Sequence, residues 1–96
     1  MSTQDDTDAF YQRLKIELEK STSWPSKYLY KFIIPTSSEK LAKIEAIFDN
    51  MGAVINTKKS SNAKYTSVSI ELHMKNPDLV IEKYKEVSKI EGVISL

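Results

Sequence analysis

The chain has 96 residues, 41% of them hydrophobic and 28% charged, with a formal net charge of +1. That composition suits one small globular domain with a single core and excludes a disordered chain. It has no cysteine, which excludes disulfides, thiolate metal ligation and thiol catalysis, and the lone His73 does not supply the three or four ligands of a zinc site. No apolar run approaches the ~20 residues of a membrane span. The polar, acidic opening Met1–Asp8 has neither signal-peptide nor transit-peptide character, so a soluble cytoplasmic protein is expected.

The charge is unevenly spread. Asp5, Asp6 and Asp8 sit at the start. Residues 9–96 hold all 14 Lys and Arg against 10 of the 13 acids, a balance of +4. Between Ala53 and Lys75 lie Lys58, Lys59, Lys64 and Lys75 against Glu71 alone. This basic patch is mild and falls short of the pI above ~9 of a dedicated nucleic-acid binder.

Residues 1–7 are expected to form a disordered acidic tail, and residues 8–20 a helix capped by Thr7 or Asp8. Phe10, Leu14 and Leu18 recur every four residues there, with Tyr11 beside them. Ser21-Thr22-Ser23-Trp24-Pro25 ends that helix. Lys27–Ile34 alternates as a strand, with Tyr28, Tyr30, Phe32 and Ile34 on a bulky core face and Lys27, Leu29, Lys31 and Ile33 on the other. Thr36-Ser37-Ser38-Glu39 fits a capping box with Thr36 as the cap, and Leu41, Ile44, Ile47, Phe48 and Met51 follow at helical spacing until Gly52 closes the helix. Ala53–Lys59 is a second strand, Ser60–Ala63 a turn and Lys64–Met74 a third strand. On the third strand Thr66, Val68, Ile70, Leu72 and Met74 share the core face, and Tyr65, Ser67, Ser69, Glu71 and His73 share the other. Asn76-Pro77-Asp78 is a helix start, with a capping Asn, Pro at the first helical position and an acid at the positive dipole end. Val80, Tyr84, Val87 and Ile90 give that helix its buried stripe, Gly92 ends it, and Val93–Leu96 forms a last short strand.

The order after the first helix is β-α-β-β-α-β. The expected architecture is therefore α+β, a ferredoxin-like βαββαβ two-layer sandwich over residues 24–96, with a four-stranded antiparallel sheet, two helices on one face and an extra N-terminal helix. Two helices cover one sheet face. The other is left to solvent, to a partner or to the N-terminal helix.

The chain carries no constellation of catalytic residues. Its two glycines read as helix caps, so no phosphate-cradling loop is present. Ser69 and His73 share a strand face, yet four residues along a strand is ~13 Å, beyond hydrogen-bond reach. Acylphosphatases share this plan and use a loop arginine, whereas the only arginine here is Arg13 on the first helix. The RNA-recognition motif also shares the plan and stacks bases on aromatic residues of its middle strands. This chain offers Tyr65 at one such position but Ser67 at the other, with Leu29 and Ile33 on the first strand. Tyr65 reads first as packing at the hairpin base. Lys58, Lys59 and Lys64 around Ser60-Ser61-Asn62 read either as an exposed hairpin kept from edge-to-edge pairing by its charge or as an anion or acidic-partner site.

Pro25 followed by Tyr28-Leu29-Tyr30-Lys31, and above all Ser60-Ser61-Asn62-Ala63-Lys64-Tyr65-Thr66-Ser67-Val68-Ser69-Ile70, resemble the YbeD-like family of small bacterial proteins of unknown function over roughly residues 24–96. That family has a proline before an aromatic-x-aromatic-Lys strand, and a serine turn with a glycine before a Tyr-x-Ser strand. Ala63 stands where the glycine is usual. The resemblance implies a ferredoxin-like fold similar to ACT domains and no established catalytic activity. ACT ligand loops usually contain glycine, and Pro35-Thr36-Ser37-Ser38 has none, so amino-acid binding is not carried over.

The expected function is a non-enzymatic regulatory or protein-interaction module. The alternative is a weak nucleic-acid-binding domain using the open sheet face and the basic hairpin. Candidate ligand or partner contacts are Lys31, Lys58, Lys59, Ser60, Ser61, Lys64, Tyr65 and Ser67, and candidate open-face contacts are Leu29 and Ile33. No catalytic residue, metal or cofactor is expected. The partner is expected to be another protein, with no membrane involved, and the chain a monomer or weak homodimer.

Overall fold

The computed structural model describes the backbone of residues 3–96 and the side chains of residues 8–96. Among these lie α1 (Thr3–Ser21), β1 (Ser26–Pro35), α2 (Ser38–Ile47), β2 (Val54–Lys59), β3 (Tyr65–Met74), α3 (Pro77–Ser88) and β4 (Ile94–Ser95). The strands form one antiparallel sheet in the order β2-β3-β1-β4, the ferredoxin-like arrangement expected from the element order. The helix α1 starts at Thr3, before the expected residue 8; of the expected tail, Met1 and Ser2 lie outside the described residues.

The alternation of β1 and β3 places the core. Tyr30, Phe32 and Ile34 of β1 and Val68, Ile70 and Met74 of β3 are fully buried. They meet Ile44 of α2 and Val80 and Val87 of α3, also fully buried. Tyr30 sits at the centre. Its ring stacks at 5.7 Å on Phe32 and meets Phe48 at 5.1 Å and Tyr84 at 4.8 Å. Its hydroxyl donates to the Val80 carbonyl at 2.8 Å, so the whole side chain is interior. Tyr28 and Tyr84 join hydroxyls at 2.8 Å nearer the surface.

Local chemistry sets most boundaries. Asn76 caps α3 as expected, its side-chain oxygen accepting from Leu79 N–H at 2.8 Å with Pro77 in the first turn. The cap of α2 is Ser37 and not Thr36, with Ser37 Oγ accepting from Lys40 N–H at 3.2 Å. Thr36 instead lies just past the end of β1 and extends its pairing with the β3 side by one residue. Its amide donates to the Lys64 carbonyl at 2.9 Å, and its hydroxyl pairs with that of Thr66 at 3.0 Å. The helix α2 stops at Ile47, with Phe48 as its C-cap, before the expected Gly52, and Lys83 of α3 donates to the freed Ile47 carbonyl at 3.0 Å. The helix α3 stops at Ser88, with Lys89 as its C-cap, and not at Gly92. Gly92 instead turns the chain at φ +82° toward β4, and a Cβ there would meet Pro35 Cγ at 3.0 Å.

The helix α1 lies against α3, in the helix layer. Lys15 pairs with Asp78 at 2.8 Å, Lys85 sits 5.5 Å from the Tyr11 ring centre, and Trp24 donates its indole N–H to the Leu18 carbonyl at 3.0 Å. The hydrogen bond and charge of Asp78 hold Lys15 above the usual lysine pKa. The sheet face away from α2 and α3 is therefore not covered by α1.

Candidate functional site

The open face is laid out by strand register. One row across it is Lys58–Ser67–Ile33–Ile94. A second contains Asn56, Ser69 and Lys31, and a third Val54, Glu71 and Leu29. Residues paired across antiparallel strands share a face. The apolar members stand in solvent: Leu29 is 47% exposed, Val54 57% and Ile94 52%, while Ile33 is half-buried among them. Lys27 pairs with Glu71 at 3.4 Å. Neither Lys31 nor Lys58 is in an ion pair among the described residues. The face thus mixes exposed aliphatic groups with a surplus of positive charge.

At one end of this face Ile33, Lys58, Lys59, Ser60, Tyr65 and Ser67 line a shallow depression of about 180 Å³. Five of the eight candidate contacts and one of the two candidate open-face residues converge there. Lys31 lies one row away, and Leu29 two rows away. Ser61 and Lys64 stay in the turn and do not line the depression. Lys59 is opposite Thr66 and so begins on the core face, where it borders a second hollow beside Thr36, Ser37 and Thr57. Tyr65 is 49% exposed, so it does not pack away at the hairpin base.

The turn hydroxyls are largely occupied within the hairpin. Ser60 Oγ donates to Asn62 Oδ1 at 2.9 Å and accepts from the Tyr65 amide at 3.2 Å. Asn62 Oδ1 also accepts from the Lys64 amide at 3.1 Å, and Ser67 Oγ donates to the Lys58 carbonyl at 3.3 Å. What the depression offers a partner is therefore ammonium groups, an aromatic ring and an aliphatic floor more than free hydroxyls. Ala63 completes the turn in the left-handed region at φ +57°, with its amide donating to the Ser60 carbonyl at 2.8 Å. The turn keeps the conformation a glycine would favour even though alanine occupies the position. An L-residue there costs roughly 1–2 kcal/mol, partly offset because glycine loses more freedom on folding. Ala63→Gly is accordingly expected to stabilise the domain by about 0.5–1 kcal/mol, measured by urea unfolding; an unchanged or lowered midpoint would contradict the strain.

Val54 and Ile94 escaped the sequence reading. The alternation of Val54, Asn56 and Lys58 against Ile55, Thr57 and Lys59 carried the signal for Val54. Ile94 needed the register of β4. Among the described residues no group of three or more His, Cys, Asp or Glu side chains is arranged to hold a metal ion, and no helix is long and apolar enough to cross a membrane.

The sheet order, the two crossing helices and the exposed face define a small ferredoxin-like α+β domain. The chain belongs to DUF493, the YbeD-like family of proteins of unknown function, whose family model matches residues 19–96. Its fold is similar to the solution structure of protein HP0495 from H. pylori, at 21% sequence identity, with 79% of this chain and 86% of that chain covered and a TM-score of 0.62. No curated protein matches the chain.

Proposed function

We propose that this chain is a non-enzymatic interaction module whose protein partner docks on the open sheet face. One observation carries the reading. Leu29, Ile33, Val54 and Ile94 put two aliphatic groups at each end of the face that α1 leaves uncovered, with Lys31, Ser69 and Glu71 interleaved between them. Interfaces draw energy from apolar contacts and orientation from the charges around them. Lys31 and Lys58 flank the aliphatic residues without acidic partners of their own among the described residues, so the complementary surface is apolar with acidic neighbours. The test is affinity capture from the native host by the full chain and by the double variant Leu29→Glu, Ile33→Glu, with circular dichroism confirming the fold. Loss of the captured partner by about tenfold or more is expected. Undiminished capture by the folded variant would place the contact elsewhere.

A second reading rests on the depression around Tyr65. An exposed ring lining the same depression as Lys58 and Ile33 suits one stacked base with phosphates held by lysines, which is weak single-strand nucleic-acid binding. It predicts binding of a fluorescent oligo-U probe that weakens steeply with salt. Absence of binding at low salt removes this alternative.

A further inference from the structure

The strand β4 covers only part of β1. It pairs with Phe32 and Ile33, and the Leu96 amide donates to the Lys31 carbonyl at 2.9 Å. Backbone groups in a strand alternate between its two neighbours. Since the Lys31 carbonyl faces β4, the amides and carbonyls of Leu29 and Lys27 face the same side. Among the described residues no strand lies beside them there, and only the Ser26 hydroxyl reaches the Lys27 carbonyl, at 3.5 Å. An unpaired edge of this kind is a template for strand addition.

A cleft of about 250 Å³ adjoins this edge, with Phe10 and Leu14 of α1 on one side, Tyr28 and Tyr84 on the other and Leu96 at its end. A residue placed opposite Tyr28 would share the face of Tyr28 and point toward the helix layer, into that cleft. Residues opposite Leu29 and Lys27 would lie on the open face. There the position opposite Leu29 is diagonal to both Lys31, free of ion pairs among the described residues, and Lys27. The groove therefore selects for shape through backbone hydrogen bonds, for an apolar side chain in its centre and for carboxylates on either side.

We propose that an extended acid–apolar–acid segment of a partner protein adds as a strand antiparallel to β1 along Lys27–Leu29, in line with β4, with its apolar side chain in the cleft beneath α1. This site is separate from the open-face contact, because it uses the outward backbone of Leu29 and not its side chain.

The test is titration of the isotope-labelled full chain with the peptide Glu-Phe-Glu-Thr, capped only at its C-terminus because Leu96 already lies opposite Lys31, followed by NMR. Saturable shifts are expected at the amides of Lys27 and Leu29 and at Phe10 and Leu14, with slowed hydrogen exchange at the two edge amides. N-methylation of the second Glu, which sits opposite Lys27, should weaken binding by about tenfold, whereas N-methylation of the Phe, whose amide points away, should not. Exchanging both Glu for Lys should also weaken it by about tenfold. These controls leave the protein unaltered, so its folding does not enter. Leu29→Pro, which removes only an outward amide, should act like the first N-methylation if it folds. Dissociation constants weaker than about 1 mM, shifts confined to Ser67–His73, or equal binding of the two N-methylated peptides would overturn the proposal.

Discussion

Tyr30→Ala is expected to cost about 3–5 kcal/mol, a large share of the stability of a domain of this size. The ring is fully buried and meets Tyr28, Phe32, Phe48 and Tyr84, which come from β1, the end of α2 and α3. Truncation opens a cavity where the strand layer and both sandwich helices meet, and no neighbour is free to collapse into it. Tyr30→Phe separates packing from hydrogen bonding. It keeps the ring and removes only the donor to the Val80 carbonyl, so about 1 kcal/mol is expected. Urea unfolding of the two variants measures both figures. A small loss for Tyr30→Ala would contradict the central position of this ring.

The second large effect is loss of stability in alkali. Burial, followed by the influence of neighbouring tyrosines, pushes the Tyr30 hydroxyl well above the ordinary tyrosine pKa; burial and the hydrogen bond to Tyr28 do the same for Tyr84. For an acid whose folded pKa is raised, the folded protein holds a proton that the unfolded chain releases. The stabilisation is complete below the unfolded pKa of about 10 and declines as pH rises beyond it. Tyr30 withdraws about 1.4 kcal/mol per pH unit in that window. Tyr84, half-buried and partly screened by water, withdraws less. Urea midpoints at pH 8, 10 and 11 are expected to fall only in the last interval. Tyr30→Phe should flatten that fall, and an equal fall in both proteins would show that the buried hydroxyl is not its source.

Much of the architecture was legible because strands and caps are written locally. The alternation in Lys27–Ile34 and Lys64–Met74 put every core residue of β1 and β3 on its observed face, and Asn76-Pro77 gave the start of α3. What stayed hidden depends on contacts distant in sequence. Thr36 and Ser37 are both competent caps, and only the carbonyl of Lys64, which takes the Thr36 amide, decides between them. The last turn of α2 is capped by Lys83, which comes from another helix. The three tyrosines of the core face look alike in the sequence, yet Tyr30 is interior while Tyr28 and Tyr84 meet nearer the surface. At the candidate site, alternation placed Tyr65, Ser67, Leu29 and Ile33 on the open face, whereas Lys58 and Lys59, grouped together in the sequence, are separated only by the register of β2 on β3. Alternation did not reveal that Ser60 spends its hydroxyl on Asn62 and Tyr65, because that depends on the path of the turn.

The strand order has a consequence for how the chain comes together. Tyr30 pairs with Ile70, and Phe32 with both Val68 and Ser95, so the central strand made first gains its neighbours last. As the chain leaves the ribosome, the apolar run from Tyr28 to Ile34 waits without a ladder while α2 and β2 are synthesised. The β2–β3 hairpin closes locally and early, but the nucleus that commits the fold has to bring β1 between two later strands, which carries the loop-closure cost of non-local pairing. Substitutions in Tyr30, Phe32 and Val68 should therefore slow refolding, whereas those in the Lys58–Lys64 turn should act mainly on unfolding.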